Sequence, residues 1–387
     1  MRIWRNIPKK KKRLLAAMLV GSVIAVFLLS SADFFNKPPS NSSVRVLVMA
    51  DSDDDFRTPP FQDKVIGFDS NWNPADKVAD LNICQTVGGG RSLSAAKDGR
   101  FLLVCENVGN HLSAYRRETG ERLWRLDGEF LSATVASNGM MFALTSAGTI
   151  YGDQVLRIND QGTIEKRTKV GGFDLVVDAD RKALWLVGAN IKKCDLDLNV
   201  LLEVSPIRWC AVSVDLNPDG TLWVAERNHP NVAQSKDRLL KISIDGGILK
   251  TVDLDFSPMC LRVDHSDGSV WVTGHEARKP KVGQVLESIE KRTGPWPIGQ
   301  KARNYLTRAS RPKTEKRDQA GNLILKVAMG GHTLDINQDD GSIWLAGARK
   351  VYQYSRAGKK LGELNATSAA QKYIIVLPAD GKTHVEP

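Results

Sequence analysis

The sequence predicts an all-β protein, a β-propeller of four-stranded antiparallel blades, and three observations carry that prediction. A short β-rich run, an Asp-Gly or Asn-Gly turn and a second strand recur along the body, with a tryptophan in the best copies. Each copy continues through a third strand, a polar turn with glycine and a fourth strand, in a unit of about 40–45 residues, which is the period of propeller blades. Seven second strands can be counted between Val44 and Gly347.

The clearest copies lie in the second half. Val212 to Gly220 leads into Thr221-Leu-Trp-Val-Ala-Glu226, Leu261 to Gly268 into Ser269-Val-Trp-Val-Thr-Gly274, and Leu334 to Gly341 into Ser342-Ile-Trp-Leu-Ala-Gly347. Leu175 to Gly188, Leu93 to Glu106 and Leu131 to Thr145 are weaker copies. Asp-Gly and Asn-Gly between alternating apolar runs are hairpin turns, because glycine supplies the positive φ such turns need. The first second strand, Val44 to Ala50, lacks an inner strand before it, whereas Tyr373 to Pro378 is an inner strand with nothing after it. The two ends therefore share one blade, which closes the ring and removes its open edges. Seven blades result, with six and eight as the alternatives. The repeated tryptophans are expected to fill the space between twisted sheets rather than to form a ligand cage.

Ahead of the repeats, residues 1–13 hold seven Lys and Arg and no acid, followed by an unbroken apolar and small-residue run from Leu14 to Leu29. Extended to Ala32, the run reaches the length of about 20 residues that crosses a bilayer as a helix. The expected order is a basic cytoplasmic tail (1–13), a hydrophobic transmembrane signal-anchor helix (14–32), a linker (33–43) and the propeller (44–387). The cations before the helix stay inside, so the propeller sits on the extracytoplasmic side, periplasmic or extracellular. Ser30-Ser31-Ala32 also suits cleavage, in which case the protein is secreted. A second basic stretch, residues 291–320, has nine cations against Glu315 and Asp318. These two segments account for the net charge of +10 and leave the rest mildly acidic, which argues against nucleic acid as a partner. Five cysteines, with no C-x-x-C pair, leave at least one thiol outside any disulfide and give no zinc or thioredoxin-like motif.

The D-G-x-[LIV]-W-[VL] strand followed by a short-turned hairpin resembles the NHL-repeat propellers and their gluconolactonase-like and streptogramin-lyase-like relatives. The resemblance is one of repeats. It implies the fold over roughly residues 44–380, and fold alone does not fix function. Gluconolactonase-like enzymes carry a Glu/Asn/Asp metal site on one face of the ring, into which Glu226 and Asn190 fit by position without a full motif. His275 and Glu276 echo the His and Glu of the lyases.

In a four-stranded blade the connections between second and third strands, and from each fourth strand to the next inner strand, open on one face. The remaining turns open on the other. The first face collects Glu106, Asn190, Glu226, His229, His275 and His332. His, Glu and Asn converging from several blades are the donor set for a divalent metal or for acid–base chemistry. The basic stretch is expected as a loop between a third strand near Gly283–Ile289 and a fourth at Leu323–Val327, on the opposite face. It would offer Lys301, Arg303, Arg308, Arg311 and Lys313, with Trp296 and Tyr305, to a protein, an acidic polymer or lipid head groups. Two functions follow: a binding or scaffold module, or a metal-dependent hydrolase or lyase.

Overall fold

The computed structural model describes residues 44–378 apart from the connections 52–62, 70–81, 85–89, 96–100, 107–110, 117–119, 137–138, 146–153, 205–209, 229–235, 277–310, 348–349 and 365–370 and positions 328 and 332. Residues 42–387 form one compact unit. The hydrophobic segment 14–32, with Leu14 and Leu29, lies outside the described residues.

The strands fall into seven four-stranded antiparallel sheets. Blade 1 joins β1 (Val44–Asp51), β2 (Asp63–Asp69) and β3 (Asn82–Cys84) to β28 (Gln371–Pro378), which forms its innermost strand. Blade 2 is β4 (Gly90–Ala95), β5 (Phe101–Glu106), β6 (His111–Arg116) and β7 (Arg122–Asp127). Blade 3 is β8 (Phe130–Val135), β9 (Met141–Thr145), β10 (Gln154–Ile158) and β11 (Ile164–Thr168), and blade 4 is β12 (Asp174–Asp178), β13 (Ala183–Val187), β14 (Ile191–Asp195) and β15 (Val200–Val204). Blade 5 is β16 (Cys210–Leu216), β17 (Leu222–Arg227), β18 (Arg238–Ile242) and β19 (Ile248–Asp253). Blade 6 is β20 (Ser257–Asp264), β21 (Ser269–Glu276), β22 (Arg311–Arg317) and β23 (Leu323–Val327), and blade 7 is β24 (Thr333–Ile336), β25 (Ile343–Ala346), β26 (Val351–Tyr354) and β27 (Lys360–Leu364).

Closure is visible in the neighbours of each inner strand. β28, β4, β8, β12, β16, β20 and β24 each touch the next, and β24 touches β28. β28 pairs with β1 from Val44 opposite Pro378 onward, so the two ends of the chain complete one blade and the seven-bladed ring has no open seam.

The tryptophans do the packing expected of them. Trp185, Trp223, Trp271 and Trp344 are all fully buried, and each of the first three belongs to a cluster made mainly by the next blade. Trp223, for example, lies with Leu254, Phe256, Leu261 and Val270. The third strand contributes a lysine over three of the rings, Lys193 on Trp185, Lys241 on Trp223 and Lys316 on Trp271, at 5.3–5.8 Å from the ring centres. A cation over an aromatic face gains about 0.5–1 kcal/mol at such partly open sites. Cys105, Cys194, Cys210 and Cys260 are buried, and burial pushes the thiols of Cys194 and Cys210 up to about 11, which leaves them inert.

One strand differs from the sequence expectation. The third strand of blade 6 is β22, Arg311–Arg317, and not a segment near Gly283–Ile289. Arg-Pro-Lys-Thr-Glu-Lys-Arg reads as a solvated charge run, yet the blade absorbs it by pairing. Lys313 meets Asp255, Lys316 meets Asp267 at 3.0 Å, and the fully buried Glu315 holds Arg317 at 2.7 Å and Lys326 at 3.0 Å. Its correct place was signalled by the turn Asp318-Gln-Ala-Gly-Asn322, which matches the third-to-fourth turns of the other blades.

Candidate functional site

The ring has two unlike faces. Turns between first and second and between third and fourth strands make one, the turn face. Connections between second and third strands, and between blades, make the other, the loop face. Placing the third strand of blade 6 at 311–317 moves the basic connection, now 277–310, from the turn face to the loop face. It leaves from Glu276 and returns at Arg311. Lys301, Arg303 and Arg308 fall within it, outside the described residues. Lys313 is a strand residue, paired with Asp255 and lying over the Phe256 ring, and so is not part of a basic loop. Arg311 is likewise in β22, as its first residue.

The ladders are irregular beside the third-to-fourth turns of blades 2 to 7 and also at the loop face. Inner strands β4, β8, β16 and β20 each carry a register irregularity near their start, at Gly90/Ser92, Phe130/Ser132, Ala211/Ser213 and Pro258/Cys260. Such bulges re-aim side chains at the rims of β structures. Two positions near this face require glycine, Gly274 in β21 and Gly331 just ahead of β24. A Cβ on Gly274 would lie 2.0 Å from the carbonyl oxygen of Ser257, and one on Gly331 2.4 Å from that of Ala346.

The candidates taken from the sequence do not behave as one set. Glu226, the second-last residue of β17, is 1% exposed and forms an ion pair with Arg238 of β18. Asn190 donates its side-chain amide to Glu203, which Lys192 also approaches at 3.8 Å. His275 sits near the end of β21, half-buried, opposite Ser257. Glu106 closes β5, paired with His111, and only its backbone is described. His229 and His332 lie outside the described residues. Among the described residues no three His, Cys, Asp or Glu side chains are arranged to hold a metal ion.

A polar set that sequence reasoning passed over lies at the axis. Asp215, Arg262 and Asp335 occupy one repeat position, each opposite the tryptophan of its second strand. Asp174 lies one layer nearer the loop face. Each carboxylate accepts a backbone N–H from the next inner strand: Asp174 from Val214 at 3.3 Å, Asp215 from Val263 at 2.9 Å and Asp335 from Val376 at 2.7 Å. Ser132 of the preceding blade donates to Asp174 at 3.2 Å, and Arg262 reaches Asp335 at 3.5 Å. Burial pushes the Asp174 and Asp335 carboxyls up, against the pull of Arg262 and of their hydrogen bonds. Burial disfavours the Arg262 charge too, but Cys260, Asp215, Asp335 and Asp174 around it outweigh that and hold it protonated. The set stitches blades 3 to 7 and blade 1 together at the centre. Its signal in the sequence was a charge between two aliphatic residues of the inner strand in blades 5 to 7, Val214-Asp-Leu216, Leu261-Arg-Val263 and Leu334-Asp-Ile336.

No protein family and no curated protein sequence matches the chain. Its fold is shared widely: 1185 chains of solved structures are similar, so likeness of shape cannot single out an activity. One of them is hydrazine synthase of Kuenenia stuttgartiensis, similar with a TM-score of 0.57 and 12% identity over 78% of this chain and 93% of that one. At that identity the likeness shows the propeller fold alone.

Proposed function

We propose that the chain is a membrane-anchored propeller of the extracytoplasmic side that works as a binding module, offering its loop face to an acidic macromolecule. The observation that carries this reading is the position of the connection 277–310, which springs from and returns to the loop face. It holds Arg278, Lys279, Lys281, Lys291, Arg292, Lys301, Arg303 and Arg308 against Glu287 and Glu290. Clustered cations on one face raise the local concentration of a polyanion and speed its encounter, in a salt-dependent way. The D-G-x-[LIV]-W pattern of blades 5 to 7 supports placing the ring among NHL-repeat-like propellers, and the run Leu14 to Leu29 supports the anchor.

The test is a titration of the full chain in detergent micelles with polyaspartate, at low and high salt. Binding that weakens with salt and falls roughly tenfold when Lys301, Arg303 and Arg308 are all changed to Glu is the expected result, since each removed cation weakens the field over the face. Binding indifferent to the triple reversal ends this reading. A stoichiometric divalent ion, lost when His229, His275 and His332 become Ala, would put the metal-dependent hydrolase or lyase in its place. Carbonate extraction of membranes tests the anchor separately: the full chain stays with the bilayer, and release would mark it as peripheral or cleaved.

A further inference from the structure

Seven large aliphatic side chains are conspicuously exposed among the described residues, and six of them fall on three consecutive blades. Val200 and Leu201 open β15, Ile248 and Leu249 open β19, and Leu323 and Ile324 open β23, at 43–59% exposure. In each case the pair follows the third-to-fourth turn, so all six stand at the same level of the ring, on its outer edge beside the turn face. They also follow one another. A Cβ on Gly246, in the turn ahead of β19, would lie 2.6 Å from Leu202 of β15, and one on Gly321, ahead of β23, 2.5 Å from Val252 of β19. The outer strand of one blade thus abuts the turn that introduces the next apolar pair, and the pairs form an arc.

Scattered exposed aliphatic residues need no explanation, but three pairs at the same position of consecutive outer strands do. The chain enters the ring on the same face. Val44 is opposite Pro378, the residue at which the inner strand β28 arrives from the loop face and ends, so the strand that follows the apolar sequence segment begins at the turn face. Only the short linker 33–43 separates that segment from Val44. Fully extended, it spans about 3.3–3.6 Å per residue, which keeps a tethered ring close to the membrane surface.

We propose that this arc rests on a phospholipid surface, so that the turn face lies toward the membrane and the loop face away from it. This rests on the anchor proposed above. The arrangement bears on the lipid: Asp245 and Asp318 stand in two of the turns just ahead of the pairs, and Asp197 in the third is paired with Arg157, which suits zwitterionic head groups over anionic ones. A flat surface meets all three pairs together, whereas a single added strand can pair with only one blade edge.

The test uses the full chain reconstituted in phosphatidylcholine vesicles, with an environment-sensitive NBD probe on Leu249→Cys, Leu201→Cys or Lys236→Cys. Lys236 is exposed beside β18 on the loop face and serves as control. The signal of the parent chain is subtracted. Head-group-proximal doxyl lipid is expected to quench the probes at 249 and 201 roughly twofold more than the probe at 236, as shallow interfacial burial requires. Quenching at 249 and 201 should weaken when phosphatidylglycerol replaces part of the phosphatidylcholine. Equal quenching at all three positions, or none at 249 and 201, overturns the proposal. So does a blue shift there without lipid quenching, which would mark a protein cover such as a second copy. Carbonate extraction of the same vesicles separates the two ideas. A chain that resists extraction but shows no quenching keeps its anchor and loses the lipid-resting arc. One that is extracted yet was quenched at 249 and 201 keeps the arc and loses the anchor.

Discussion

Asp174 and Asp335 at the axis and Asp195 and Asp318 at the turn face accept the same kind of hydrogen bond, yet their acidities move in opposite directions. Asp195 and Asp318 each accept the side-chain amide and the backbone N–H of an asparagine four residues on, Asn199 and Asn322, and these bonds hold both carboxyls below the usual range. Asp174 and Asp335 accept backbone N–H groups too, from neighbouring blades, and have Arg262 nearby, but burial wins and raises them. The turn acids keep their water and gain local bonds. The axis acids give up water to join strands that are distant in sequence, Asp335 to Val376 across 41 positions. The first kind stabilises a hairpin. The second specifies which blades are neighbours, at some expense in stability.

The largest effect that would sharpen this contrast is expected from Asp335→Ala. It strands the Val376 N–H at the strand that closes the ring and removes a partner of Arg262, a loss of about 1–3 kcal/mol by the usual cost of an unsatisfied donor. Urea denaturation reads it. Asp335→Asn keeps an acceptor and sheds the buried charge, so it should lose less than half as much. Equal losses would mean that the ion pair, and not the clasp, matters.

Next in size is the pH dependence. A carboxyl raised in the folded state keeps its proton at a pH where the unfolded chain has released it, so its contribution falls as pH rises through the folded value. Asp174 and Asp335 therefore lower the urea midpoint progressively as pH climbs above 3.8, the ordinary aspartate value. Asp335→Asn should flatten that decline. Asp195 and Asp318 act in the other sense: their contribution is present above 3.8 and is lost as pH falls below it. A steeper decline in the Asn variant would break the contrast.

The smallest effects belong to the turns. Asp318→Ala should lower stability by less than about 1 kcal/mol, the net worth of exposed hydrogen bonds. Lys182 stands where other blades have the glycine of Asp-Gly and holds a φ of 48°. Lys182→Gly should raise stability slightly, by up to about 1 kcal/mol of relieved strain, read as a higher thermal midpoint. A loss of stability would mean that its side chain, and not its backbone, serves the turn.

Much of the ring was legible in the sequence because repeats state their own register. Trp223, Trp271 and Trp344 after Asp-Gly or Asp-Asp-Gly turns fixed the second strands, and the unmatched strand at Tyr373 to Pro378 fixed the closure. What sequence could not reveal was how charges are matched in three dimensions. β22 looked like a loop because its lysines and arginine are paired with Asp255, Asp267 and Glu315, two of them outside the strand. Glu226 looked available because its partner Arg238 is twelve positions away. The axis set was overlooked because each member, taken alone, is one charged residue in an apolar strand. Periodicity reports which way a side chain points, and it is silent on which other charge is waiting there.

The most direct test of the loop face as the binding side is hydrogen exchange of the full chain in micelles, with and without polyaspartate. Added protection should appear in peptides covering 274–315 and 226–238. The turns at 243–247 and 318–322 should exchange as before. Protection confined to those turns, or none in 274–315 despite measured binding, would contradict the assignment of the loop face.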